Sequence, residues 1–382
     1  MGDTRKSNSE QIACYIQQSM PAEGLFDGYQ WRVATKPFEL DKKLVKQLEK
    51  LGRILLKFYK ATNMIYRWST EDRLPKWPAE WLERGKPKSL IDLQRHRAFK
   101  NELPRVIRPD ILLTEEGLKI TELDSVPGGI GLTAWLNRSY SDAGSNVIGG
   151  PNGMIDGFSG IFGNAEKIRM IVSDESATYR PEMKWIAEQI GGDRCSVHDQ
   201  NYMNFNEGDA VYRFFELFDL ENIPAAETIF QLATEQKIKI TAPPKTFLEE
   251  KMTFGLFHNR NLSDVWRQQL GDNFKNTLET LLPQTWIVDP EPIPPQAAYP
   301  GINLTDWNQL KDLSQKERNL ILKISGFSDQ AWGARGVWLG SDLPREEWTE
   351  AVVQAIAGYK ESPRILQRYH HPIQIDSEWF NF

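Results

Sequence analysis

The sequence predicts a mixed protein of α/β and α+β character, and two observations carry that reading. Strand-like and helix-like runs alternate at short spacing across roughly 165–250, the pattern of a small parallel α/β unit. Far from it on either side, residues 105–124 read as a β-hairpin and residues 317–340 as a strand, a glycine-containing loop and a second apolar patch.

The chain has 382 residues, room for two or three packed units. An apolar share of 40% with 26% charged residues excludes a disordered protein. A net charge of −6 argues against a general nucleic-acid binder, whose basic surface would show in the total. No run approaches the roughly 20 apolar residues needed to span a bilayer, so no membrane partner is expected. The first residues, MGDTRKSNSEQIACYIQQSM, lack the apolar centre of a secretory signal. Cys14 and Cys195 lie too far apart in sequence for a metal motif and suit a reducing compartment. A cytoplasmic location is therefore expected.

In chain order, Leu44, Leu48, Leu51, Leu55 and Phe58 recur at helical intervals and predict an amphipathic helix over 41–59. Residues 70–100, rich in Pro, Trp and Arg, read as loops and short helices. RVIRPDILLTEEGLKITELD, 105–124, is the hairpin, and SVPGGIG follows it. The glycine-rich segment 149–164 reads as a long loop or linker. IRMIVSD and DAVYRFFEL read as buried strands separated by the helix RPEMKWIAEQIGG, and a helix over 224–236 precedes the strand KIKIT. TFLEEKMTFGLFHN is expected to continue as helix, and the prolines of 283–301 to connect lobes. A strand ending in Lys323, a helix over 344–357 and the strand PRILQRY complete the chain.

The hairpin can be counted. A three-residue turn Glu115-Glu116-Gly117 would pair Thr114 with Leu118. Asp110 then faces Glu122, Arg108 faces Asp124, and alternation puts all four on one face. Carboxylates crowded beside one arginine repel unless a cation lies among them, and hard oxygen ligands suit Mg²⁺. A solvent-facing hairpin with cross-strand salt bridges is the plain alternative. The glycines after it allow close backbone approach to a ligand. In the last third, Lys323 precedes a loop with glycines at 326, 333 and 336, which supplies a cation and backbone N–H groups of the kind phosphate needs. It is not a P-loop, since no GK[ST] opens a helix there. The five histidines are scattered or point to opposite faces, and neither cysteine has a histidine nearby to support it as a nucleophile.

Taken together and in this order, RPDILLTEEGLKITELDSVPGG, DAVYRFFELFDL through TFLEEKMTFGLF, and ERNLILKISGFSDQAWGARGVWLG resemble the ATP-grasp superfamily in its circularly permuted form. The order is similar to that of glutathionylspermidine synthase-like and related uncharacterised permuted ATP-grasp proteins. The resemblance covers about 105–382. It implies a metal-ligand part at 101–164, a Rossmann-like pre-ATP-grasp unit at 165–262 and a lysine and glycine-loop lobe at 263–382, after a helical region at 1–100. Position by position, it implies Mg²⁺ on Asp110, Glu122 and Asp124, and Arg108 at the transferred phosphate. Lys251, Lys323, Ser325 and Gly326 would contact the ATP phosphates, the backbone around Gly333 and Gly336 would cover them, and Gln367, Arg368 and Tyr369 would line the adenine. Asp124 stands where asparagine is commonest, and the loop carries bulky Phe327 and Trp332. Arg335 is a candidate for an acyl phosphate or substrate carboxylate, which arginine binds bidentately.

The implied activity is an ATP- and Mg²⁺-dependent ligation of a small-molecule carboxylate to an amine or thiol through an acyl phosphate. The alternatives are a phosphotransferase on the same fold and a catalytically silent nucleotide-binding or scaffold protein. The identity of the acid and of the nucleophile, the role of 1–100 and the oligomeric state are not legible in the sequence.

Overall fold

The computed structural model describes residues 8–26, 32–294, 297–331 and 335–380. Two four-stranded sheets and the hairpin organise it. The first sheet is parallel, in the order Cys195–Asp199, Ile168–Val172, Ala210–Phe214, Lys239–Thr241. Because the chain starts on an inner strand, moves to one edge and then crosses to the other side, the strand order reverses between Ile168–Val172 and Ala210–Phe214. In open α/β sheets such a point is where ligands bind, beyond the C-terminal strand ends. The second sheet is antiparallel, in the order Val337–Leu339, Leu320–Ile324, Arg364–Arg368, Thr285–Ile287.

The amphipathic helix runs much further than its apolar stripe suggested, over Lys42–Thr70, with the Asp41 carboxylate accepting from the Leu44 amide at 2.7 Å as N-cap. Its buried face, including Leu51, Leu55 and Phe58, packs against one face of the hairpin and the helices Met252–His258, Ser263–Leu270 and Asp272–Leu281. Phe58 stacks on Trp266 with ring centroids 5.5 Å apart. Residues 246–262, grouped by sequence with the parallel unit, thus pack into the core of the long helix and the hairpin.

Three local expectations are corrected. The glycine-rich segment 149–164 is no linker: Gly153–Gly160 is helical, at the cost glycine imposes on helices, and it buries Ile155 and Phe158 in the core beneath the parallel sheet. Phe158 meets Tyr212 edge-on at 5.1 Å. The helix expected across 246–259 is broken, a 3₁₀ turn at Thr246–Leu248 giving way to a helix only at Met252. The proline-rich 283–301 is more than a connection, because Thr285–Ile287 forms the edge of the antiparallel sheet. No helix of the described residues is long and apolar enough to cross a membrane.

Candidate functional site

The hairpin reaches its expected pairing by an unexpected route. The turn has two residues, with Thr114 opposite Gly117, and a bulge between Asp110 and Ile111 leaves Thr121 unpaired. Without the bulge, alternation would put Glu122 on the face of Leu118 and Ile120, which is core. The extra residue gives that face to Leu123 and turns Glu122 outward, opposite Asp110, with Arg108 opposite Asp124.

Two lysines from distant segments meet this face. Lys251 precedes the helix Met252–His258; its ammonium lies 2.6 Å from Glu122 and 3.3 Å from the Ala331 carbonyl, in the glycine loop. Lys323, on an inner strand of the antiparallel sheet, donates to the Gln367 amide oxygen at 3.0 Å and reaches the Thr121 carbonyl at 3.5 Å. Each is only 6% exposed. Burial pushes the Lys323 pKa down to about 8, with Glu122 and Asp110 opposing the shift and Lys251 adding to it. Lys251 is paired with Glu122, whereas among the described residues no carboxylate lies within ion-pair distance of the buried Lys323 ammonium, which leaves that charge able to meet an anion.

Behind the lysines lies an anchor in which Ser325, expected at the ATP phosphates, is fully buried and turned to another use. Its other members, Lys86 and Glu250, the sequence did not mark. The Ser325 hydroxyl donates to Glu250 at 3.1 Å and accepts from the Met252 amide, and the Lys251 amide donates to the Ser325 carbonyl at 2.8 Å. A Cβ on Gly326 would come within 2.6 Å of the Glu250 side chain, so only glycine allows this approach. Glu250 is matched by Lys86 at 2.7 Å, both side chains 1% exposed. Residues 1–100 thereby contribute to the root of the loop. No sequence signal marks Lys86, one of several basic residues in a loop-rich stretch.

The carboxylates do not converge as expected of metal ligands. Arg108 bridges Asp110 at 3.2 Å and Asp124 at 3.1 Å, while Glu122 belongs to Lys251. Burial raises the Asp124 pKa, and Arg108 and the Val126 amide work against it. Among the described residues no three His, Cys, Asp or Glu side chains are placed to hold a metal ion. The donor set, with each carboxylate matched by a cation, does not fit a three-carboxylate Mg²⁺ site.

The small residues after the hairpin serve the protein's own packing. A Cβ on Gly128 would lie 2.2 Å from the Tyr179 ring, and buried Glu182 accepts from the amides of Gly129 and Leu132, capping the helix Ile130–Asp142. At the C-terminal end of the parallel sheet, Glu216 and Glu249 lie beside Arg213, whose guanidinium contacts the Glu249 carboxylate. Burial pushes Glu216 up to about 7 and Glu249 up to about 8.

The structure brings Asp110, Glu122, Lys251, Lys323, Ser325, Gly326 and Gln367 into one neighbourhood. It turns the Gln367 side chain to another use than lining a base, since its amide oxygen holds Lys323 and its amide nitrogen donates to Thr285 at 3.1 Å. Arg368 departs likewise, donating to the Gly301 carbonyl at 2.7 Å. The Tyr369 amide donates to Asn319. Gly336 is buried against the Gln330 carbonyl, Arg335 is exposed, and Gly333 lies outside the described residues.

Compared with known proteins, the sequence matches no family model and no curated protein. Among solved structures, the fold is similar to that of a glutathione synthetase-like effector from Globodera pallida in its apo form. The TM-score is 0.56 at 12% identity, over 97% of this chain and 82% of that one. At that identity the likeness is one of fold.

Proposed function

We propose that the chain is an ATP-dependent ligase of the ATP-grasp type, in circularly permuted order, joining a small-molecule carboxylate to an amine or thiol. The observation that carries this reading is the convergence of buried Lys251 and Lys323, from two distant segments, on the carboxylate hairpin, with Lys251 also touching the Ala331 carbonyl of the glycine loop. The fold likeness to a glutathione synthetase-like protein supports it. So does the chain order of hairpin, parallel unit and lysine strand.

In this reading the two ammonium groups bind the ATP phosphates and stabilise charge developing on the β–γ bridge. The substrate carboxylate attacks the γ-phosphorus, ADP leaves, and the nucleophile then displaces phosphate from the acyl phosphate. Arg108 and Arg335 are the candidates for the transferred phosphoryl group and the substrate carboxylate. Magnesium enters only as the ion ATP brings with it, with no protein ligand assigned. A catalytically silent nucleotide-binding protein is the second reading, favoured by Arg108 lying between Asp110 and Asp124.

Calorimetry with Mg·ATP on the wild type, Lys323→Ala and Glu122→Ala tests the first step. Binding that weakens at least tenfold in Lys323→Ala supports the site, and no binding by folded wild type refutes it. ADP release that depends on an added carboxylate separates the enzyme from the silent protein.

A further inference from the structure

A cavity of about 520 Å³ opens beside the edge strand Thr285–Ile287, a size suited to a small-molecule ligand. It is walled by Trp77 and Trp81 of one short helix, by Trp286, and by Tyr299, which is itself stacked on Trp307. None of the nucleotide-site side chains described above lines it.

The walls already have internal partners for much of their polarity. The Trp81 indole donates to Asp289 and the Trp286 indole to the Pro300 carbonyl, so both rings offer an occupant only their faces. Asp289 also accepts from the Glu291 amide. His258 hydrogen-bonds the Phe254 carbonyl through Nδ1, which leaves Nε2 as a lone-pair acceptor. Burial holds this imidazole neutral, with its pKa pushed down to about 4. Of the charged lining residues, Asp289 and Glu291 are acidic and Arg260 is basic. Electron-rich ring faces, an uncharged acceptor and an acidic excess together favour a hydrogen-bond-donating cation.

We propose that this cavity is a second ligand site, for an organic ammonium ion carried on an aromatic or other apolar body. Ring faces hold the body, while His258 and the carboxylates receive the ammonium. The site is separate from the nucleotide reading and stands or falls without it. Thr285 nonetheless lines the cavity and accepts from Gln367, which holds Lys323. The helix Met252–His258 also begins beside Lys251 and ends at His258. An occupant would therefore press on both lysine supports.

The test is calorimetry on the full chain with tryptamine and, as its counterpart of opposite charge, indole-3-propionate. Tryptamine is expected to bind at least tenfold more tightly, and Glu291→Gln to weaken it about fivefold or more, with indole-3-propionate unaffected or improved. Trp81→Leu, at the wall, is expected to weaken both probes. Equal or tighter binding of the propionate overturns the charge assignment, and no binding of either probe overturns the site. Thermal denaturation of each variant separates lost binding from lost fold.

Discussion

The Lys323 ammonium and the Gln367 amide oxygen lie 3.0 Å apart across two paired strands of the antiparallel sheet. Gln367 is held in turn by Thr285, so a chain of three side chains fixes where a buried positive charge sits. Preorganisation of this kind lowers the cost of receiving an anion, because the cation is desolvated before the ligand arrives.

Lys323 sets a pH dependence. Its pKa is depressed from 10.5 to about 8, so the folded state binds fewer protons than the unfolded between those values. Stability from this group rises as pH climbs through about 8 to 10.5. Nucleotide binding has the opposite sign, since phosphates favour the charged amine. Mg·ATP affinity should fall above about pH 8, with proton uptake on binding that differs between buffers of unlike ionisation enthalpy. Lys323→Ala should remove both the uptake and about 1.5–3 kcal/mol of binding.

The Lys86–Glu250 pair is a structural dependency at the loop's root. Removing one partner leaves a buried charge, and Lys86→Met should cost about 3–5 kcal/mol. The double variant Lys86→Met/Glu250→Gln should recover most of it by chemical denaturation. Hydrogen exchange at Ser325 to Phe327 should rise in the single variant and return toward wild type in the double. Unchanged exchange in the single variant would refute the anchoring role.

Glu216 should make the protein less stable as pH rises from about 4.5 to 7. Its carboxyl is raised by burial first and by Asp124 next, so the folded state holds a proton that the unfolded state has released. Glu216→Gln should flatten that slope, raising the melting temperature at pH 8 by about 2–4 °C and leaving pH 4.5 unchanged. A parallel shift at both pH values would assign the change to packing instead.

Thr285→Val tests communication between the cavity and Lys323. Tryptamine should alter Mg·ATP affinity in the wild type by about threefold or more, in a direction the calorimeter reads, and the reciprocal effect must be equal. Thr285→Val, which removes the hydroxyl that accepts from Gln367, should abolish the coupling whatever its effect on tryptamine binding itself.

Much of the site's membership was legible as residue type and order: the carboxylates and Arg108 by strand alternation, Lys323 by its apolar run. Local pattern carries such information because period-2 alternation is a property of the strand itself. It also determined the amphipathic helix and the alternating α/β unit. The bulge at Thr121 was illegible, although it alone turns Glu122 out of the core, because a two-residue turn with a bulge and a three-residue turn without one give the same outer pairing.

Only the tertiary structure decided the rest. Lys86, Glu250 and Ser325 lie far apart in sequence, and nothing local in Lys86 tells a buried ion from a solvated one. The matching of Arg108 to Asp110 and Asp124, and of Lys251 to Glu122, replaced the expected metal ligands by ion pairs. The glycines of SVPGGIG were read as room for a ligand, and Tyr179 takes the space beside Gly128. Sequence specifies which groups are present and which face of an element they take. Packing between elements decides which of them meet, because burial, and with it the cost of every unpaired charge, exists only once the chain has folded.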